Sequence, residues 1–141
     1  MATTKIFDPK QLICTFLGNV LLGFADGTFV NIERNEDTFQ LAVGADGDTA
    51  RARSNNRSGR ITFTLMQTSA SNDILSAAAF ADESTGTGIG PCMIKDLLGR
   101  TLVVCQNAWI VKPAPAGYAK DIQNRDWIIE TDFLQVFLGG N

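Results

Sequence analysis

The feature that most constrains this chain is the shape of its apolar runs: short bursts rich in Val, Ile, Phe and Thr, often alternating with polar residues and cut apart by Gly or Asp-Gly. A period of two turns one face of a segment to a core and the other outward, and glycine allows tight reversals between segments. That pattern predicts strands. The first run puts Leu12, Cys14 and Phe16 on one face. Residues 20–24, then Asp26-Gly27, then residues 29–34 predict a hairpin, because glycine accepts the positive φ of a type I′ turn. Residues 38–43 are expected to pair with residues 60–67, where Ile61, Phe63 and Leu65 share a face and Thr62, Thr64 and Met66 the other.

Between those two runs lies a polar excursion, residues 44–59, carrying Arg51, Arg53 and Arg57. A loop this long is usually functional in a compact domain. Asp46-Gly47 can fold part of it into an extended hairpin, and it is read as an arm. Downstream, Ser71 is placed as a helix N-cap, with Asp73 favouring the first turn and residues 74–82 supplying alanines. At 100° per residue, Ile74, Leu75, Ala78 and Ala81 form one stripe, and Phe80 falls opposite, toward a partner. A Gly- and Thr-rich loop over residues 82–91 precedes strands at 93–97 and 101–111 and a crossing at Pro113 and Pro115. A last long strand, residues 126–138, carries Trp127, Ile129 and Phe133 on one face and Leu134, Val136 and Leu138 on the other, as expected of burial on both sides.

No repeat or second domain interrupts this pattern, so residues 1–141 are expected to form a single domain. Its length lets it bury a core without disulfide or metal, and 45% hydrophobic with 19% charged residues is a folded composition. The expected fold is mainly β: a β-sandwich or small barrel of two packed antiparallel sheets with one flanking helix. Cys14, Cys92 and Cys105 are far apart and read as buried reduced thiols. The opening residues lack a secretory pattern, and the apolar stretch 12–24 is broken by Thr15, Gly18 and Asn19, so no membrane anchor is expected. A net charge of −3 and a pI near 4.8 provide no basic field for nucleic acid.

The chain contains no histidine, which removes the commonest general base and any Ser-His or Cys-His pair. No catalytic residue, metal site or cofactor is expected. Asp46 and Asp48 begin a calcium-like loop, but Arg51 and Arg57 stand where its glycine and bidentate glutamate belong. Gly86, Gly88 and Gly90 lack the Lys and Ser or Thr of a phosphate loop. Glu130 and Asp132 would project from one strand face roughly 7 Å apart, either as a solvated acidic face or as a hydrolase pair. Glu33, Glu36 and Asp37 form a second acidic cluster. The basic arm on an acidic body has three readings: contact with the next copy, a solvated loop, or a nucleic-acid contact that lacks interleaved aromatics.

Taken in order, several segments resemble the tail tube protein of contractile-tailed bacteriophages: Phe7-Asp8-Pro9, Gly23-Phe24-Ala25-Asp26-Gly27-Thr28, Glu33-Arg34-Asn35-Glu36, Gly44-Ala45-Asp46-Gly47, Thr64-Leu65-Met66-Gln67-Thr68-Ser69 with Ser71-Asn72-Asp73, Ile94-Lys95-Asp96, Ala108-Trp109-Ile110 and Asn124-Arg125-Asp126-Trp127. The resemblance implies a virion tail protein, assembled in the host cytoplasm, that closes into six-membered rings. Those rings stack into a hollow tube inside a contractile sheath, where ring closure pairs exposed strand edges. It implies as partners further copies of itself, the sheath protein, and the tape measure and baseplate or terminator proteins, with DNA passing through without sequence-specific binding. The arm then reaches the adjacent ring, with Arg51, Arg53, Arg57, Asp46 and Asp48 as contact candidates. Glu130 and Asp132 become lumen or interface candidates, and Phe80 a contact to sheath or neighbour. A tube of a phage-derived contractile injection particle or type VI secretion apparatus shares these implications, and a small carboxylate-dependent hydrolase is the reading from another class.

Overall fold

The computed structural model describes residues 4–141 as a mainly β fold with two antiparallel sheets and one helix. A short turn, Pro9–Gln11, leads into β1 (Leu12–Phe16), β2 (Asn19–Val20), β3 (Val30–Arg34), β4 (Phe39–Val43), β5 (Thr49–Arg53) and β6 (Gly59–Met66). Helix α1 (Ser71–Thr85) follows, then β7 (Gly90–Asp96), β8 (Leu102–Ile110), β9 (Asn124–Thr131) and β10 (Gln135–Phe137). The large sheet runs β2-β1-β7-β8-β9-β6-β3 with β10 also on β8, and β4-β5 form a sheet of their own.

The predicted alternation is realised strand by strand. Cys14 and Phe16 of β1, Ile61, Phe63 and Leu65 of β6, Val103, Cys105 and Ile110 of β8, and Trp127 and Ile129 of β9 all enter one core. A sheet whose long strands turn their apolar faces to the same core curls around it. The chain itself draws the two ends of the sheet together. Leu21 N–H still bonds Cys14 O at 2.9 Å, while Met66 N–H bonds Gly23 O at 3.0 Å and Ala25 N–H bonds Thr64 O at 3.0 Å. Within a few residues the backbone therefore crosses from the β1 end to the β6 end, closing a small barrel with a seam at residues 21–25.

The pairings differ from expectation in two places. Asp26-Gly27 does not turn a hairpin; β2 pairs β1 (Phe16↔Asn19) and β3 pairs β6 (Val30↔Phe63). The tight turn falls instead at Leu17-Gly18, with φ of 53° and 80°. Strand β4 does not join β6 but pairs β5, Phe39↔Arg53 through Val43↔Thr49. β6 takes β3 and β9 as neighbours, and those partners satisfy both its edges.

The last strand is broken. Residues 132–134 bend out, although β9 and β10 keep one register against β8, with Ala108↔Thr131 before the bend and Val104↔Gln135 after it. At the bend Leu134 is fully buried, its N–H donating to Arg57 O at 2.8 Å. Phe133 thus leaves the face shared by Trp127 and Ile129.

Helix α1 begins after Ala70, and Ser71 supplies no cap; its hydroxyl instead accepts Leu22 N–H at 2.8 Å, on the seam. The buried residues of α1 are Ser71, Asn72, Leu75 and Ala79, so its inner face is rotated by about one position from the predicted stripe. Ala79 takes the place expected of Ala78 because the first turn is docked through Asn72.

Candidate assembly site

Antiparallel register puts Phe39, Leu41 and Val43 of β4 on the same hairpin face as Thr49, Arg51 and Arg53 of β5. The opposite face carries only Gln40, Ala42, Ala50 and Ala52. All ten strand residues are exposed, and Leu41 reaches 72%. Arg51 lies over the Phe39 ring at 4.0 Å, holding the cation against the apolar row. The reversal is closed by Gly47 at φ 92°, with Gly47 N–H bonded to Gly44 O at 3.1 Å and Gly44 N–H to Asp48 O at 2.7 Å; this left-handed position favours glycine. Asp46 Oδ1 accepts the Asp48 N–H at 3.4 Å, so both carboxylates sit at the tip.

At its base the hairpin is tied down. Ser54 N–H bonds Thr38 O at 2.8 Å and Ser54 Oγ donates to Glu36 at 3.0 Å. Beside this base, an open cleft of about 490 Å³ is lined by Arg34, Glu36, Asp37 and Arg53. The predicted arm was bounded at 44–59, whereas the projecting unit is Phe39–Arg53. Arg51 and Arg53 belong to it. Arg57 does not: it lies on the barrel over the Phe133 ring at 5.3 Å.

The outer face of the barrel across β3, β6 and β9 is polar and acidic. Register aligns Glu33, Arg60 and Glu130 in one row, with Arg60 Nη2 2.8 Å from Glu130 Oε1. Thr64 Oγ1 donates to Asp126 at 2.8 Å on the same face. Asp132 lies just past the end of β9, accepting a bond from Asn107 Nδ2 at 3.4 Å. The hollow beside it is lined by Val104, Gln106, Asn107, Asp132, Phe133 and Gln135, without Glu130. Phe80 stands on the outward side of α1, 72% exposed.

Large apolar side chains reach solvent in other places too, among them Val20, Leu22, Phe137 and Leu138. An open groove of about 510 Å³ runs along the seam, floored by Val20, Leu22, Phe24 and Phe29 with Lys10 and Asp26 on its rim. Sequence reasoning missed this groove and the hairpin's apolar row. Phe39, Leu41 and Val43 alternate as core residues do, and only the small residues Ala42, Ala50 and Ala52 on the reverse face mark a strand pair with no body behind it. Among the described residues, no helix is long and apolar enough to cross a membrane, and no group of three or more His, Cys, Asp or Glu is placed to hold a metal ion.

The three thiols are buried and unpaired. Burial alone pushes Cys14 up to about 12. It also raises Cys92, with the neighbouring Cys105 and Cys14 adding to the shift. For Cys105 burial raises the value against an opposing hydrogen bond from Thr131. None of the three is a nucleophile near neutral pH.

The model of the bacteriophage PhiTE tail tube protein family matches residues 18–139. Structural protein ORF10 of Pseudomonas phage KPP10 is 34% identical over 146 residues, covering 98% of this chain and 84% of that protein. Two solved structures share the fold at a TM-score of 0.58. The tube-terminating cap of the anti-feeding prophage is 10% identical, with 97% of this chain and 94% of that one covered. The sheath/tube terminator of an extracellular contractile injection system, PVC, in its extended state is 12% identical, with 97% and 100% covered.

Proposed function

Because this chain belongs to the bacteriophage PhiTE tail tube protein family, we propose that it is the repeating subunit of a phage tail tube, closing into hexameric rings that stack into a conduit for DNA. The observation that carries this reading is the hairpin β4-β5, which exposes Phe39, Leu41 and Val43 beside Arg51 and Arg53 with no part of its own barrel behind them. Such a surface gains free energy by being covered, at roughly 25 cal/mol per Å² of apolar area. Repetition around a ring and along a tube covers it in every copy but the last.

In this reading the protein works by assembly and not by catalysis, and its home is the virion tail, built in the host cytoplasm. Its partners are its own copies, a surrounding sheath protein reached through Phe80 or a neighbour's flank, and the tape measure, baseplate and terminator proteins at the ends of the tube. Hairpin residues Arg51, Arg53, Asp46 and Asp48 make the contacts between rings, and Arg57 supports them from the barrel. The face that carries Glu33, Glu130 and Asp126 keeps a net negative charge around the one ion-paired Arg60 and suits a lumen wall: excess carboxylates facing a phosphate backbone keep DNA from adhering. Asp132, just past the end of β9, belongs to the lumen wall or to a subunit interface.

The test is charge reversal of Arg51 and Arg53 to Glu. Both side chains are exposed, so the variant should keep its unfolding midpoint while failing to form tubes by electron microscopy. Long tubes from the doubly reversed protein would remove the hairpin from the contact.

A further inference from the structure

The hairpin and the seam groove lie at opposite ends of one strand. The hairpin leaves the barrel beyond Gly59, where Asn35 N–H bonds Ser58 O at 3.1 Å, and the seam crosses at Leu65, the bridge partner of Phe24. The six residue steps between them span about 20 Å. A donor at one end and a receptor at the other cannot satisfy each other within one copy.

We infer that the seam groove of one copy receives the β4-β5 hairpin of a second copy, making the stacking contact head to tail. The inference rests on the tail tube reading, and names the receptor that reading leaves open. The chemistry matches on both rows of the hairpin. Phe39, Leu41 and Val43 present a ridge that the floor of Val20, Leu22, Phe24 and Phe29 covers. Charge matches as well: Arg51 and Arg53 meet Asp26 on the rim, and the tip carboxylates Asp46 and Asp48 meet Lys10. Each hairpin strand is about 17 Å long, enough to lie along the groove while its base stays on the parent barrel. A heterologous contact of this kind repeats without limit along an axis, as a tube requires.

Two single substitutions on exposed side chains test the pairing: Leu41→Asp on the hairpin and Leu22→Asp in the groove, residues 72% and 67% exposed. Both proteins should keep the wild-type circular dichroism spectrum and unfolding midpoint. Alone, neither should elongate. Leu41→Asp retains a working groove and Leu22→Asp a working hairpin, so mixing the two folded proteins should yield a species of twice the mass of either alone, seen by light scattering after size exclusion, and nothing longer. If Leu22→Asp elongates like wild type, the groove is not the receptor although the tube reading stands. If both variants stop but the mixture gains no mass, these two surfaces do not meet. If the wild-type protein itself neither forms rings nor elongates, the tube reading falls and the docking with it.

Discussion

Asn72 ties the helix to the barrel through one buried amide. Its Oδ1 accepts the indole N–H of buried Trp127 at 2.9 Å, while its Nδ2 donates to Met66 O at 2.9 Å and Ser69 O at 3.1 Å. Asn72→Ala leaves the Trp127 indole N–H without its partner, while Met66 O and Ser69 O keep backbone bonds from Ser69 N–H and the residue-72 N–H; an orphaned buried polar group costs about 1–3 kcal/mol, and denaturant unfolding followed by tryptophan fluorescence should show a loss of about that size. Gly59 is a second fixed point. A Cβ there would lie 2.8 Å from Leu134 Cβ and 2.9 Å from Glu33 O, so Gly59→Ala should destabilise by roughly 1–3 kcal/mol, with the bend at residues 132–134 displaced. The thiols set a pH dependence. Cys14 ionises near its ordinary 9.0 in the unfolded chain but at about 12 when buried. Its folded value is raised, so stability is unaffected below pH 9 and is lost as pH climbs from 9 toward 12. Replacing Cys14 by Ala should flatten that part of the profile. None of these three residues carries a local signature that exposes its role. Asn72 meets Trp127 across 55 positions of chain, and no periodicity reports such a contact.

At the scale of elements, the strands were legible because burial imposes alternation on each one independently. β6 was readable from Ile61, Phe63 and Leu65 alone. Pairing was not, since register depends on which edges remain free once the barrel closes. The Asp-Gly signal at Asp26-Gly27 lost to the seam, where the backbone is needed to bridge β1 and β6. The same signal at Asp46-Gly47 does turn the chain, because β4 and β5 pair only with each other. The arginine-bearing excursion is legible as an arm, but its apolar strand, residues 38–43, reads as a partner of β6: Phe39, Leu41 and Val43 look alike in sequence whether their cover comes from the same chain or from another. An isolated two-stranded hairpin is marginal in water. Trypsin should therefore cut the unassembled protein first after Arg51 and Arg53, and assembly should protect both bonds. Equal cleavage in the assembled and dispersed states would mean that the hairpin stays uncovered.

The whole molecule divides its surface by chemistry. One barrel face carries Glu33, Asp126 and Glu130 around the ion-paired Arg60; the hairpin and seam carry two of the apolar patches that a solitary barrel leaves wet, while Phe80, Phe137 and Leu138 are exposed elsewhere. Family membership ties that division to a phage tail, and the proposed tube assigns the acidic face to the lumen. Glu33→Lys should then still assemble, yet its tubes should retain DNA at low salt and release it as salt rises, while wild-type tubes retain none. The most direct measurement is electron microscopy of the purified wild-type protein at high concentration. Stacked six-membered rings with an open central channel are the predicted result; a particle that stays a dispersed monomer at every concentration would contradict self-assembly as the function.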